Sequence, residues 1–306
     1  MKKELLSIIV NCYNEEETIP IFYDTIVPII EKIKNLDYEI IFIDDCSSDK
    51  TLEIIKNIAK KSKKVKYLST TRRFGKEAGI LAGYEHAKGD YIVSIDVDLQ
   101  DPPELIVEMY NILKKQNYDC VATRSVSRNG YSFLRKIFTK SYYFILRKLT
   151  PLEMKEGIRD FRMVTRRVAK DLVNMKEYNR YSRYLFEYLG YKTYWIEFDN
   201  QERVAGKTKW NFFKLFQVAM EAILTSSNYL LYLPIILGIV LFIISIIMAV
   251  VILFVEESLK IFILTITLFI GSLIIITIGI NALYISKMYL EIKNRPKYVI
   301  KESNLE

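Results

Sequence analysis

Two stretches of this 306-residue chain, Leu230 to Val255 and Ile261 to Ile285, contain no charged side chain. Each exceeds the roughly 20 residues that a helix needs to cross about 30 Å of hydrocarbon. A buried helical hairpin inside a soluble domain is the other arrangement open to such runs, but soluble cores rarely use two adjacent runs this long. The expectation is therefore a region, 226–290, with two transmembrane helices at about 230–255 and 261–285. Only Glu256, Glu257, Ser258, Leu259 and Lys260 separate them, whereas Lys207, Lys209 and Lys214 precede the pair and Lys287, Lys293, Arg295 and Lys297 follow it. That asymmetry puts both flanks in the cytoplasm. The chain reads as a multi-pass protein of the cell membrane, with a cytoplasmic domain over 1–225 and a cytoplasmic tail over 291–306. At the start, Met1-Lys2-Lys3 precedes an apolar run, Leu5 to Val10, that is too short for a secretory signal.

The first 225 residues have ordinary globular composition and alternate between two patterns. Leu6 to Val10, Tyr38 to Ile43, Val65 to Ser69 and Tyr91 to Ile95 are short apolar or β-branched runs that read as strands. Ile19 to Ile33, Thr51 to Lys61 and Glu77 to Ala87 read as the helices between them. Alternation of this kind argues for an α/β domain with a parallel sheet. Ligands of such sheets bind beyond the carboxyl ends of the strands. Polar and acidic segments follow the strands there: Asn11-Cys12-Tyr13-Asn14-Glu15, Asp44-Asp45-Cys46-Ser47-Ser48-Asp49 and Asp96-Val97-Asp98.

Phe133 to Leu149 has Lys136, Lys140, Tyr143 and Arg147 on one helical face and Leu134, Phe138, Tyr142, Ile145 and Leu149 opposite. This suits a helix lying in a membrane interface, and an amphipathic helix packed on the sheet has the same pattern. Cys12, Cys46 and Cys120 lack metal-ligand spacing, which favours packing roles in a reducing compartment. A net charge of +8 comes with no nucleic-acid module, so phosphates at a membrane surface are the simpler target and no nucleic acid is expected.

Asp96-Val97-Asp98-Leu99-Gln100-Asp101-Pro102-Pro103-Glu104 carries two carboxylates at i and i+2 directly after a strand, with an amide two residues on. Hard oxygen donors so placed suit Mg²⁺ or Mn²⁺ together with substrate phosphates. An exposed acidic turn would read the same way in isolation. The order of blocks narrows the choice: Cys12-Tyr13-Asn14-Glu15-Glu16, Asp44 to Asp49, Arg72-Arg73-Phe74-Gly75-Lys76-Glu77, Asp96 to Glu104, Asp160-Phe161-Arg162 and Arg203 to Trp210. With two apolar spans after them, these blocks resemble the family 2 inverting glycosyltransferases, and within them the branch that makes polyprenyl-phosphate sugars.

The resemblance implies a nucleotide-binding glycosyltransferase A-type (Rossmann-like) domain with interfacial amphipathic helices, followed by two transmembrane helices. It implies that Tyr13, Asn14, Glu15, Asp44, Asp45, Gly75, Lys76, Asp96 and Val97 bind the nucleotide-sugar donor. Asp44 or Asp45 would accept a hydrogen bond from the base while Tyr13 lies against it, although core packing and helix capping are the plainer roles of these residue types. Asp96, Asp98 and Gln100 are implied as ligands of Mg²⁺ or Mn²⁺, and Asp160 and Asp98 as catalytic. A phosphate monoester is largely ionised at neutral pH, so Asp160 is expected to orient the acceptor or clear a residual proton. Arg124, Arg128, Arg135, Arg162, Arg203, Thr208 and Lys209 are the candidates for the lipid phosphate or the diphosphate. The implied partners are polyprenyl phosphate, the bilayer and further copies of the chain, as in a tetramer. The sequence departs from the usual pattern at Asn11, Cys46, Arg73 and Arg159. A processive polysaccharide synthase would need more than two spans for a channel, and a catalytically silent scaffold would be expected to have lost Asp96, Asp98 and Asp160, all of which are present.

Overall fold

The computed structural model describes residues 3–125, 157–178, 180–198 and 259–305. The elements run β1 (Glu4–Cys12), α1 (Thr18–Glu31), β2 (Leu36–Asp44), α2 (Thr51–Lys61), β3 (Val65–Thr70), α3 (Lys76–His86), β4 (Tyr91–Asp96), α4 (Leu105–Lys115), β5 (Cys120–Ser125), β6 (Ile158–Thr165), α5 (Arg166–Asn174), α6 (Ser182–Tyr188), β7 (Thr193–Phe198), α7 (Leu259–Ile292) and β8 (Ile300–Ser303). The chain divides into two compact units, Met1–Phe216 with Pro296–Glu306, and Gln217–Arg295.

The first unit is built on one eight-stranded sheet in the order β7-β5-β6-β4-β1-β2-β3-β8. Strands β4, β1, β2 and β3 are parallel, as the alternation of strands and helices requires. The sheet as a whole is mixed, which corrects the wholly parallel expectation: β6 runs antiparallel to β4 and β5, and β8 antiparallel to β3. Helices cover both faces, so the central strands are apolar on both sides. Leu6, Ile8 and Val10 of β1 pack with Phe22, Ile26 and Ile30 of α1, Ile55 of α2 and Ile106 and Met109 of α4. The intervening Ile9 points the other way, with Ile41 and Ile43 of β2, toward Ile80 of α3, Val168 and Leu172 of α5 and Leu185 of α6. This two-residue alternation is the pleat made visible in packing.

Helix α3 lies unusually close to the sheet. A Cβ on Gly83 would sit 2.2 Å from Ile9 Cγ2, and one on Gly79 would sit 2.3 Å from Asn11 Oδ1. Glycine at these two positions sets the approach of the helix and so the place of its first residue, Lys76, beside the strand ends. Strand register aligns those ends: Cys12 pairs with Asp44 and Asn11 with Asp96.

In the second unit, α7 is a helix of 34 residues, about 50 Å long at 1.5 Å per residue. It carries the whole of the second charge-free run, and Ile263, Ile274, Ile278, Leu283 and Ile285 are exposed on it. Judged on the described side chains alone, no helix is long and apolar enough to cross a membrane. The expected span 230–255 and the amphipathic segment 133–149 lie outside the described residues.

Gly83→Ala should destabilise the first unit by about 1–3 kcal/mol through overpacking against Cγ2 and Cγ1 of Ile9, and Gly79→Ala, whose Cβ meets Asn11 Oδ1, should do the same. Thermal unfolding of the two variants beside the wild type measures both effects.

Candidate active site

Three turns at the carboxyl ends of β1, β2 and β4 each contain one non-glycine residue with left-handed backbone: Asn14 at φ 52°, Cys46 at φ 57° and Leu99 at φ 55°. Such residues cost free energy and persist where the surroundings hold them. Here the turns after β1 and β2 hold one another. Asn14 N–H donates to Ser47 Oγ at 2.9 Å, and Asn14 Oδ1 accepts from Ser48 N–H at 2.8 Å. Glu15 N–H donates to Thr51 Oγ1 at 2.7 Å. The side chain that meets the start of α2 is Asp49, which accepts from Thr51 N–H at 3.0 Å.

The paired aspartates after β2 have separate tasks. Asp44 is 1% exposed; it accepts from Ser69 Oγ at 2.7 Å and Ser47 N–H at 3.1 Å, so it braces the turn from beneath. Asp45 turns toward the segment after β3, accepting from Phe74 N–H at 2.7 Å and Gly75 N–H at 2.9 Å. Gly75, at φ 96°, takes a conformation that side chains disfavour and leads directly into α3. The Arg73 guanidinium stacks 3.9 Å over the Tyr13 ring and lies 3.9 Å from Asp45 Oδ2. Thus Tyr13, Asp45, Arg73 and Gly75 form one cluster.

A second cluster joins β4, α3, β6 and α6. Lys76 Nζ lies 2.7 Å from Asp96 Oδ1 and 2.7 Å from Asp160 Oδ2. The same Asp160 accepts from Arg183 Nε at 2.7 Å and Nη2 at 3.0 Å. Antiparallel pairing explains the placement: Ser94 faces Arg162 across β4 and β6, which sets Asp96 opposite Asp160. Burial alone would raise the Asp160 carboxyl, but Arg183 and Lys76 outweigh it and hold the group well below the usual carboxylate range. Burial opposes the charge of Lys76, and Asp160 with Asp96 restores it and raises its pKa. Next to this line, Glu77 accepts from Ser182 N–H at 2.9 Å and from its hydroxyl, and burial followed by the Asp160 charge raises its carboxyl.

In the acidic turn after β4, Asp98 is 8% exposed and accepts from Gln100 N–H at 3.2 Å. Val97 is buried under the turn. Burial pushes Asp101 up to about 7 against the nearby Arg159, whose Nε lies 3.5 Å away. Among the described residues no three His, Cys, Asp or Glu side chains group closely enough to hold a metal ion by themselves. Asp96, Asp98 and Gln100 offer only oxygen donors, which suits a hard cation that shares its remaining coordination with phosphates.

Two arginines proposed for phosphate are otherwise engaged. Arg162 is 1% exposed, with its guanidinium 4.1 Å over the Phe186 ring and 4.0 Å from Cys120 Sγ. The pocket it lines with Tyr84, Ser94, Asp160 and Ser182 has room for about 10 Å³, about one water and far short of a lipid phosphate. Arg162 thus forms part of the floor beneath Asp160, with its Nη2 3.9 Å from Glu187 Oε1. Arg124 is ion-paired to Glu197. Arg128, Arg135, Arg203, Thr208 and Lys209 lie outside the described residues. Arg183, which lies in the first turn of α6, carries no sequence signal beyond a second arginine in Arg180-Tyr181-Ser182-Arg183.

A mixed α/β sheet of this topology, with acidic turns at its carboxyl edge, has the glycosyltransferase A-type arrangement. Residues 7–173 match the model of glycosyl transferase family 2. The chain is 36% identical over 303 residues to the prophage bactoprenol glucosyl transferase homolog of Escherichia coli (strain K12), covering 97% of this chain and 98% of that one. It is 35% identical over 306 residues to the bactoprenol glucosyl transferase of Shigella phage SfII, covering 98% of each. A solved mannosyl-3-phosphoglycerate synthase from Rubrobacter xylanophilus shares the fold with a TM-score of 0.50 at 15% identity, over 72% of each chain. The chain belongs to glycosyl transferase family 2.

Two outcomes follow from this geometry. Cys46→Gly should relieve the left-handed residue and raise stability by about 0.5–1 kcal/mol, read as a higher unfolding temperature. Because the folded pKa of Asp160 is depressed, its contribution to stability is present above the ordinary value of about 3.9 and is lost as pH falls through the lower folded value. Arg183→Ala removes one of the two groups that depress it, so the onset of acid unfolding should move to higher pH in a series of unfolding temperatures measured from pH 3 to 8.

Proposed function

We propose that the protein transfers a hexose or N-acetylhexosamine from a nucleoside diphosphate, probed first as the UDP-linked sugars, to polyprenyl (undecaprenyl) phosphate. The transfer inverts the anomeric carbon and yields a lipid-linked sugar for modification of cell-envelope glycans. The observation that carries this reading is Asp160, held ionised between Lys76 and Arg183 and set opposite Asp96. The full-length similarity to bactoprenol glucosyl transferases supports the acceptor.

In the displacement, an acceptor phosphate oxygen forms the new bond to the anomeric carbon while the bond to the nucleoside diphosphate breaks. The acceptor monoester has its second pKa near 6 and needs little proton removal at neutral pH. An aspartate tied down by two cations is a weak base. Its work is to fix Lys76 and Arg183 where negative phosphates converge, with Tyr13, Asp45 and Arg73 on the nucleoside side. Asp96, Asp98 and Gln100 would hold Mg²⁺ or Mn²⁺, which offsets charge on the departing diphosphate.

The membrane reading rests on the two charge-free runs and on the sheet. Strand β8 pairs with β3 of the same sheet that contains β1 and β2, so the chain leaves the catalytic unit before residue 217 and returns to it after 295. If that excursion crosses a bilayer it does so an even number of times, as two helices would, with the catalytic unit on the cytoplasmic side.

The full-length protein in detergent, given undecaprenyl phosphate, Mn²⁺ or Mg²⁺ and a panel of UDP- and GDP-sugars, should form one lipid-linked sugar detectable by mass spectrometry. Asp98→Asn should reduce turnover about 100-fold or more, and chelation of the metal should abolish it. Nucleotide release without lipid product would refute the acceptor, and Asp160→Asn with wild-type turnover at pH 7.5 would refute the role given to Asp160.

A further inference from the structure

The residues after the apolar region do more than close a sheet edge. We infer that Lys297–Asn304 is a positioning segment of the donor site, which fixes the turn after β3 and thereby sets affinity for a nucleoside diphosphate. The inference rests on the donor reading given above.

The ladder between β8 and β3 continues past the end of β3. Val299 C=O accepts from Thr71 N–H at 3.0 Å, one residue beyond the strand. A register shift at Ser69 and Thr70 lets the returning chain follow β3 as it bends. Three residues further on, Phe74 and Gly75 are held by Asp45. Arg72 and Arg73 are therefore suspended between two fixed points, one supplied by the tail and one by β2. Arg72 stacks 4.1 Å over the Phe74 ring and Arg73 stacks over Tyr13; both arginines lie on that span, between its two fixed ends.

At its far end the tail is clasped by one side chain. Asn304 Oδ1 accepts from Tyr67 N–H at 2.6 Å, its Nδ2 donates to Val65 C=O at 3.2 Å, and its own N–H donates to Tyr67 C=O at 3.2 Å. Around the strand, Glu302 pairs with Lys56 of α2 at 2.5 Å. The Tyr298 hydroxyl bonds to Glu85, and its ring meets His86 edge to face, at the end of α3. The tail thus grips β3 together with α2 and α3, the two helices whose first residues, Thr51 and Lys76, meet the site. Simple protection of an edge strand would need none of these contacts to helices, nor the bond to Thr71.

The test is the full chain lacking residues 296–306, titrated calorimetrically with UDP and with GDP in Mn²⁺ beside the wild type. Loss of several hydrogen bonds at one end of the span should weaken binding of the favoured nucleotide about tenfold, leave the acceptor KM within about twofold, and be reversed by adding the 296–306 peptide. Asn304→Ala should give a smaller shift in the same direction, and serves as the primary variant if the deletion does not fold. A wild type that binds neither nucleotide would sink the donor reading itself. A wild type that binds, beside a folded deletion or an Asn304→Ala protein that binds equally well, would overturn the inference, as would failure of the peptide to restore binding to a weakened deletion.

Discussion

Asp96, Lys76, Asp160 and Arg183 form a line of alternating charge that runs from β4 through α3 and β6 to α6. Taking such groups out of water is costly, and a line of this kind holds only while each member keeps its neighbours. The rest of the unit is arranged to keep them. Gly79 and Gly83 bring α3 down onto β1 so that Lys76 reaches both aspartates. The antiparallel entry of β6 sets Asp160 opposite Asp96, and Arg162 with Phe186 fills the space below. Glu77 and Ser182 tie α3 to α6 next to the same charges.

This arrangement divides the chemistry between two neighbourhoods. On one side, polar turns locked to one another present Tyr13 and Arg73 with Asp45 between them. On the other, two cations share one ionised carboxylate where an anionic acceptor and an anionic leaving group would meet. Both neighbourhoods are held by partners within the fold itself, so in the proposed transfer developing charge would meet fixed partners with little to reorganise.

Much of this was legible in the sequence because the signals were local. The strand and helix periods locate β1 to β4 and α1 to α3 to within two residues at every boundary, and Thr51–Lys61 to the residue. The acidic turns were legible because they follow apolar runs directly. What escaped depended on pairing over long separations. Strand β8, Ile-Lys-Glu-Ser, has no apolar signature and acquires its structure from an edge more than 200 residues earlier. The antiparallel direction of β6 is likewise a property of the sheet and not of its own residues. Asp44 and Asp45 look equivalent in the sequence; only the fold turns one inward to Ser69 and the other outward to Gly75. Arg162 belongs to a recognisable block, yet on β6 its position alternates with that of Asp160 by two, which puts it on the same side of the pleat and deeper in.

Strand β8 also bears on how the protein is made. In the order of synthesis it follows residues 217–295, so β3 stands with an open edge while the apolar region is being produced. An open edge is a place where chains associate wrongly, and the short, charged β3–β8 pairing limits how long and how apolar that edge is. The sheet becomes complete only after residues 217–295 have been synthesised and the chain has returned to pair with β3. Completion of the sheet is in this way deferred until the apolar region has been made.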